Sequence, residues 1–252
     1  MSLAIQAGLW GLLSGSALVL GAIVADLVRI PRRVVAGIMA FGAGVLISAL
    51  SFDLMDEAFR RGGFGATAAG FLAGAAVYTA ANWVINHRGG AHRKRSGADP
   101  AAPQQSADEG AGLGIAVGAL LDGIPESIVI GASLLEGRGV SLVAVVAVFL
   151  SNVPEGLSSA AGMKAAGRSR AYIYGIWGGI ALASGLSAFV GNLALEGAAP
   201  EVVAAVNAVA AGAILAMLVD TMIPEAFETA HDFAGLITVA GFLAAFVLSK
   251  AG

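Results

Sequence analysis

Apolar positions along this chain come in long unbroken runs separated by short polar breaks. Eight runs stand out, roughly 3–28, 34–59, 64–86, 111–135, 140–163, 171–195, 201–229 and 233–250. Each is on the order of the 20 residues that an α-helix needs to cross the hydrocarbon core of a bilayer. None shows the alternation over about 10 residues that marks a membrane β-strand. The pattern predicts an all-α integral membrane protein, with residues 1–252 forming one domain of eight transmembrane helices. The first run has no basic leader and no clear cleavage site, and it exceeds a signal-peptide core, so it is expected to stay as a span.

Composition agrees. Of the 252 residues, 58% are hydrophobic and 12% charged, against about 25% charged in a soluble domain. The net charge of −3 carries no nucleic-acid signature. With no cysteine, a disulfide framework, a thiolate metal site and a cysteine nucleophile are excluded. The 36 glycines suit helices that pack in lipid through small residues. The stretches 37–44 and 175–179 are expected at close backbone crossings, and Trp10, Trp83 and Trp177 at the membrane interface.

The charges set an orientation. Ten of the 14 lysines and arginines follow the first, third and fifth runs: Arg29, Arg32, Arg33, Arg88, Arg93, Lys94, Arg95, Lys164, Arg168 and Arg170. Arg60, Arg61, Arg138 and Lys250 lie on the other side. Basic short loops stay cytoplasmic, so both termini are expected outside, in a multi-pass protein of the cell membrane. The stretch 87–110 is basic at first and then rich in Ala, Pro, Gln and Ser. Such a composition buries no core and reads as a flexible cytoplasmic loop. Its His87 and His92 are either transient metal ligands or solvated side chains.

Ionisable residues inside a span are costly and point to function. Here they are almost all acidic. The fourth run holds Asp122-Gly-Ile-Pro-Glu-Ser127 and the fifth holds Ser151-Asn-Val-Pro-Glu-Gly156. Asp122 and Glu126, and Asn152 and Glu155, are four and three residues apart, so each pair shares a helix face. Pro125 and Pro154 lack an N–H, which frees the carbonyls of Leu121 and Leu150. The short connection around Gly137 is expected to make the fourth and fifth spans antiparallel neighbours. Their motifs would then meet at one depth, related by a pseudo-two-fold axis in the membrane plane, as in inverted-repeat transporters. Facing carboxylates at low dielectric repel unless a cation or proton lies between them. No lysine, arginine or histidine lies deep in a span to supply that charge, and oxygen donors suit a divalent cation.

Other acids read as a path. Asp53 and Glu57 are one turn apart near the outer end of the second run; they either collect cations there or face solvent with Arg60 and Arg61. Asp220 and Glu225, in a third Ile-Pro-Glu stretch, either form an exit step with His231 and Asp232 or are solvated helix-end charges.

These residues resemble the ZIP (Zrt/Irt-like) divalent metal transporters. The resemblance runs from about residue 34 to the end and is strongest over 119–162. It implies metal uptake toward the cytoplasm, Zn²⁺ first and Fe²⁺ or Mn²⁺ also, by alternating access of spans one, four, five and six against the rest. It implies metal ligands at Asp122, Glu126, Asn152 and Glu155, with Ser151 beside them, and no cofactor beyond the transported metal. The expected partners are the metal ion and the lipid bilayer, with a homodimer as one assembly and no nucleic acid. The family's motif histidines are replaced by Asp122 and Ser151, and a bridging asparagine by Gly123. That favours one metal over two and shifts preference toward harder ions. The span-six position offers only Ser184 and Ser187. The rival readings are a non-transporting metal sensor or interaction protein on the same fold, and an intramembrane aspartyl hydrolase using Asp122; no activated nucleophile or nucleotide loop supports an enzyme.

Overall fold

The computed structural model describes residues 1–28, 30–87, 111–137 and 139–251. The regular structure among them is helical: α1 (Leu3–Leu27), α2 (Arg32–Ala49), α3 (Met55–Ile85), α4 (Ala111–Ser133), α5 (Leu142–Ala165), α6 (Arg170–Leu195), α7 (Pro200–Met217), α8 (Ile223–Ala230) and α9 (Ala234–Ala251). The expected loop 87–110 lies outside the described residues except for His87, as do Arg29 and Arg138.

Local chemistry sets the helix starts. Ser2, Ser141 and Ser169 cap α1, α5 and α6, each hydroxyl oxygen accepting the backbone N–H three residues on, which satisfies one of the orphan donors of the first turn. Pro200 opens α7, where its missing N–H costs nothing. Among the described residues, seven helices are long and apolar enough to cross a membrane. One of them, Arg32–Ile85, has 54 residues; as a straight α-helix it would run to about 80 Å, far more than a bilayer core. It is interrupted at Gly63, whose φ of 67° and ψ of 177° only glycine adopts readily. The two helices of this stretch keep different company: α2 packs along α9, and α3, which contains the break, along α7.

Two further irregularities match each other. After α2 the chain makes a π-helical turn, Leu50–Leu54, holding Asp53; after α7 it makes another, Leu218–Met222, holding Asp220. Turns of this kind cluster at functional positions.

The helix pairing has a regular scheme. α1 packs on α6 and α5, α4 on α6 and α7, α2 on α9 and α5, and α3 on α7. Exchanging α1 with α6, α2 with α7, α3 with α9 and α4 with α5 leaves this set of contacts unchanged. The close crossings obey the same exchange. A Cβ on Gly44 or Gly241 would run into backbone across the α2–α9 contact, and one on Gly74 or Gly212 would do so across the α3–α7 contact.

Glycines 37–44 and 175–179 behave differently. Gly42 and Gly44 sit at tight crossings as expected, whereas Gly175, Gly178 and Gly179 have nothing within 4 Å of where a Cβ would be. That second stretch is not a packing contact; its glycines lie on a free face of α6.

Polarity is distributed as in a protein solvated by lipid. Leu72, Val77, Leu182 and Leu236 are each about two-thirds exposed, while Ser14, Ser127, Ser158, Asn192 and the motif acids are buried. An apolar exterior of this extent is unusual for a soluble monomer. The chain is a multi-pass helical membrane bundle. Trp83 is 62% exposed, as an interfacial anchor should be, but Trp177 is buried with its indole N–H unpartnered, packed with Leu18, Ala160, Met163 and Ile173. Its ring belongs to the bundle interior because α1, α5 and α6 converge on it. Trp10 is partly buried against the core.

Candidate metal site

Both Pro-Glu motifs lie well inside their helices, Pro125 within α4 and Pro154 within α5. Asp122 and Glu126 are each 2% exposed, Ser151 2%, Asn152 5% and Glu155 7%. Among the described residues these three acids are the buried charged side chains, and no lysine, arginine or histidine is buried with them. Burying a charge costs several kcal/mol per ion after relaxation unless it is compensated.

Specific contacts orient the residues. The Tyr78 hydroxyl of α3 donates to Asp122 Oδ1 at 2.6 Å, a short bond of the charge-assisted kind. The Asn152 amide donates to the Ser14 carbonyl of α1 at 3.1 Å, which leaves its Oδ1 as the acceptor end. Ser127 and Ser151 hydroxyls donate to backbone carbonyls of their own helices, Gly123 and Val148. Around the freed Leu150 carbonyl the backbone of α2 comes near: a Cβ on Gly42 would lie 3.4 Å from Leu150 O and 3.3 Å from Ser151 Cα. Ser184 of α6 lies 3.5 Å from where a Gly123 Cβ would be, so the span-six serine does adjoin the α4 motif.

The glycine that closes the second motif has a mechanical role. At Gly156 a Cβ would strike the Leu18 carbonyl of α1, and at Gly21 it would strike the Val153 carbonyl of α5. Backbone contact between α1 and α5 therefore fixes the height of Glu155.

The expected meeting of α4 and α5 needs correction. These helices touch only slightly; α4 packs on α6 and α7, and α5 on α1 and α2. The turn at Gly137 and Gly139, both with positive φ, connects them without pressing them together, because α1 contacts both. Among the described residues no three His, Asp or Glu side chains gather closely enough to hold a metal on their own. A cation at either motif would complete its shell from Asn, Ser, backbone carbonyl or water oxygens.

The path acids separate. Glu57 pairs with Arg60 at 3.2 Å and with Arg61, the arginines of the solvated alternative, but its side chain is only 17% exposed. Asp53 lines one cavity with Glu57 and accepts from the Ser249 hydroxyl of α9 at 2.9 Å, its Oδ2 buried without a partner. Ser133, Ser141 and Asn207 line the same cavity; Asn207 was not legible as a polar wall of this space. Asp220 accepts a long hydrogen bond from Asn82 of α3, 3.4 Å. Asp53–Ser249 and Asp220–Asn82 are equivalent under the helix exchange described above. His231 packs edge-on against Phe227 rather than in an acidic cluster. His87 stacks on Trp83 and shares a 2.7 Å hydrogen bond with its carbonyl; His92 lies outside the described residues.

Compared with known proteins, the chain matches no family model and no curated sequence.

Proposed function

We propose that this protein is a secondary transporter that carries divalent metal cations across the membrane toward the cytoplasm, of the ZIP type that its motifs resemble. The observation that carries the reading is the sign of the buried charge. Asp122, Glu126 and Glu155 are all acidic and all in mid-helix within a turn of a proline, and among the described residues no lysine, arginine or histidine is buried with them. A divalent cation is the ligand that such a set favours. Asp122 and Glu126 at the α4 motif, and Asn152 and Glu155 at the α5 motif, are the proposed ligands, with Ser151 adjoining the second pair and the Leu121 and Leu150 carbonyls available. Asp53, Asp220 and Glu225 are path residues in this reading. The all-oxygen donor set admits Zn²⁺, Fe²⁺ and Mn²⁺.

The same reading takes the bundle as eight crossings in two inverted halves. Its support is the break at Gly63 together with the exchange of α1, α2, α3 and α4 for α6, α7, α9 and α5, which preserves the contacts, the tight glycines and the two aspartate hydrogen bonds. Each exchanged pair would cross the membrane in opposite senses. α1, α4, α5 and α6 then form one moving body, touching the others chiefly through α2–α5 and α4–α7. The basic bias places both termini outside.

A sensor on the same fold is the second reading, favoured by the loss of the motif histidines and by the separation of α4 from α5. Sealed proteoliposomes loaded with a fluorescent chelator distinguish the two. Accumulation of Zn²⁺, Mn²⁺ or Fe²⁺ above protein-free vesicles supports transport. Stoichiometric binding with no accumulation contradicts it.

A further inference from the structure

We propose that the end of the bundle around Asp26 is a seat for one anionic phospholipid. Asp26, in the last turn of α1, is held by Lys164 at 3.2 Å, by Arg170 at 2.9 Å and by the Tyr174 hydroxyl at 3.2 Å. These side chains and Arg168 line a cavity of about 180 Å³ where the end of α5 meets the start of α6. Lys164 and Arg170 thus share one carboxylate, Arg168 lines the same cavity, and the mouth is open to the outside: the Lys164 and Arg170 side chains are 52% and 75% exposed. A positively charged mouth of this kind takes an anion.

A second cavity tells which anion. Beside the mouth runs a crevice of about 430 Å³ between α1, α2 and α5, walled by Val28, Ile30, Val35 and Leu157, with Arg32 at its edge. It shares Ala25 and Lys164 with the first cavity, so the cationic mouth adjoins an apolar slot. Those are the two halves of an anionic phospholipid, the phosphate at Lys164, Arg168 and Arg170 and an acyl chain along the crevice. Inorganic phosphate would use only the mouth. A zwitterionic headgroup would bring a cation of its own to a place that is already cationic. The level fits as well, since α1, α5 and α6 all begin or end here, at the depth of headgroups. Basic pockets between membrane helices on the cytoplasmic side bind acidic lipid headgroups in this manner, and the basic loops assign this end to that side. The seat does not depend on the metal-transport reading.

The test uses the full chain, purified in a non-ionic detergent and stripped of lipid, with lipid binding measured by native mass spectrometry. Phosphatidylglycerol and phosphatidylcholine of identical acyl chains are compared. The wild type should bind phosphatidylglycerol about tenfold or more tightly than phosphatidylcholine, and the Lys164→Gln/Arg168→Gln variant should lose that preference. Ala161→Phe, which narrows the crevice without changing charge, should weaken phosphatidylglycerol binding several-fold. Arg168→Gln alone, which leaves Asp26 its three partners, should give an intermediate loss. Equal binding of the two lipids, a preference that survives the double substitution, or displacement of phosphatidylglycerol by inorganic phosphate would each overturn the proposal.

Discussion

Alanine at Gly156 and alanine at Gly175 should move stability in opposite directions, although both replace a glycine inside a membrane helix. In a helix interior the change alone gains about 0.5–1 kcal/mol, because glycine loses the most backbone freedom on folding. At Gly156 that gain meets an obstacle. The new Cβ would sit 2.7 Å from Leu18 Cα and 2.8 Å from its carbonyl carbon, all of it backbone, so no side-chain rotation relieves the clash. The helices α1 and α5 must part by roughly 0.5–1 Å, and a gap of that size forfeits about a quarter to a half of each dispersion contact along the crossing. Leu18, Ala22 and Leu157, all buried, lose packing together. Overpacking of this kind costs about 1–3 kcal/mol. At Gly175 a Cβ meets nothing within 4 Å, so only the gain remains. The helix gain is common to both, so the two variants should differ by the overpacking cost, roughly 1–3 kcal/mol. Unfolding of the full chain in mixed micelles at increasing dodecyl sulfate fraction, followed by tryptophan fluorescence, measures this difference directly. A Gly156→Ala protein as stable as the wild type would refute the α1–α5 contact, and so would a Gly175→Ala protein destabilised to the same degree.

Three further outcomes are expected. Tyr78→Phe removes the 2.6 Å donor to Asp122 and should cost about 1.5–3 kcal/mol of stability in the same unfolding assay; an unchanged midpoint would mean that the bond is not made in the membrane. Asp122→His restores an imidazole beside Glu126 and should move the ranking of competing metals toward Zn²⁺, read by metal competition in proteoliposome uptake; an unaltered ranking would remove Asp122 from the ligands. Asn152→Ala removes a proposed ligand oxygen whose amide is held by a hydrogen bond to the Ser14 carbonyl, and should weaken metal binding by titration calorimetry more than Ser151→Ala does, since Ser151 only adjoins the proposed ligands.

The runs of apolar residues were legible because lipid imposes length and continuity on every span, so the helices fall near the places the sequence marked. The motif acids were legible for a related reason: a carboxylate such as Glu126 or Glu155 is costly in the middle of an apolar run and stands out there. Neighbour relations were not legible. Spans adjacent in sequence were expected to be adjacent in space, yet α1 takes the place beside α5, using Gly21 and Gly156. A glycine pattern alone does not say which face a helix buries, and this is why 175–179 looked like a crossing. The π-helical turns at Asp53 and Asp220 carry no composition signal, although Leu-Ser-Phe-Asp-Leu and Leu-Val-Asp-Thr-Met are recognisable as counterparts once both are seen. Asp26 escaped notice because it sits at a span end, where an acid is ordinary; only its partners Lys164 and Arg170, 138 and 144 residues away, reveal a cluster.

The central claim is that the acidic residues of the two Pro-Glu motifs carry a divalent metal through the bilayer. Its most direct measurement is the initial rate of radiolabelled metal uptake into sealed proteoliposomes containing equal amounts of wild type, Glu126→Ala or Glu155→Ala, each verified as folded by its elution profile. The account predicts saturable uptake by the wild type and loss of metal-dependent flux in both variants. Uptake at the wild-type rate by either variant would contradict it.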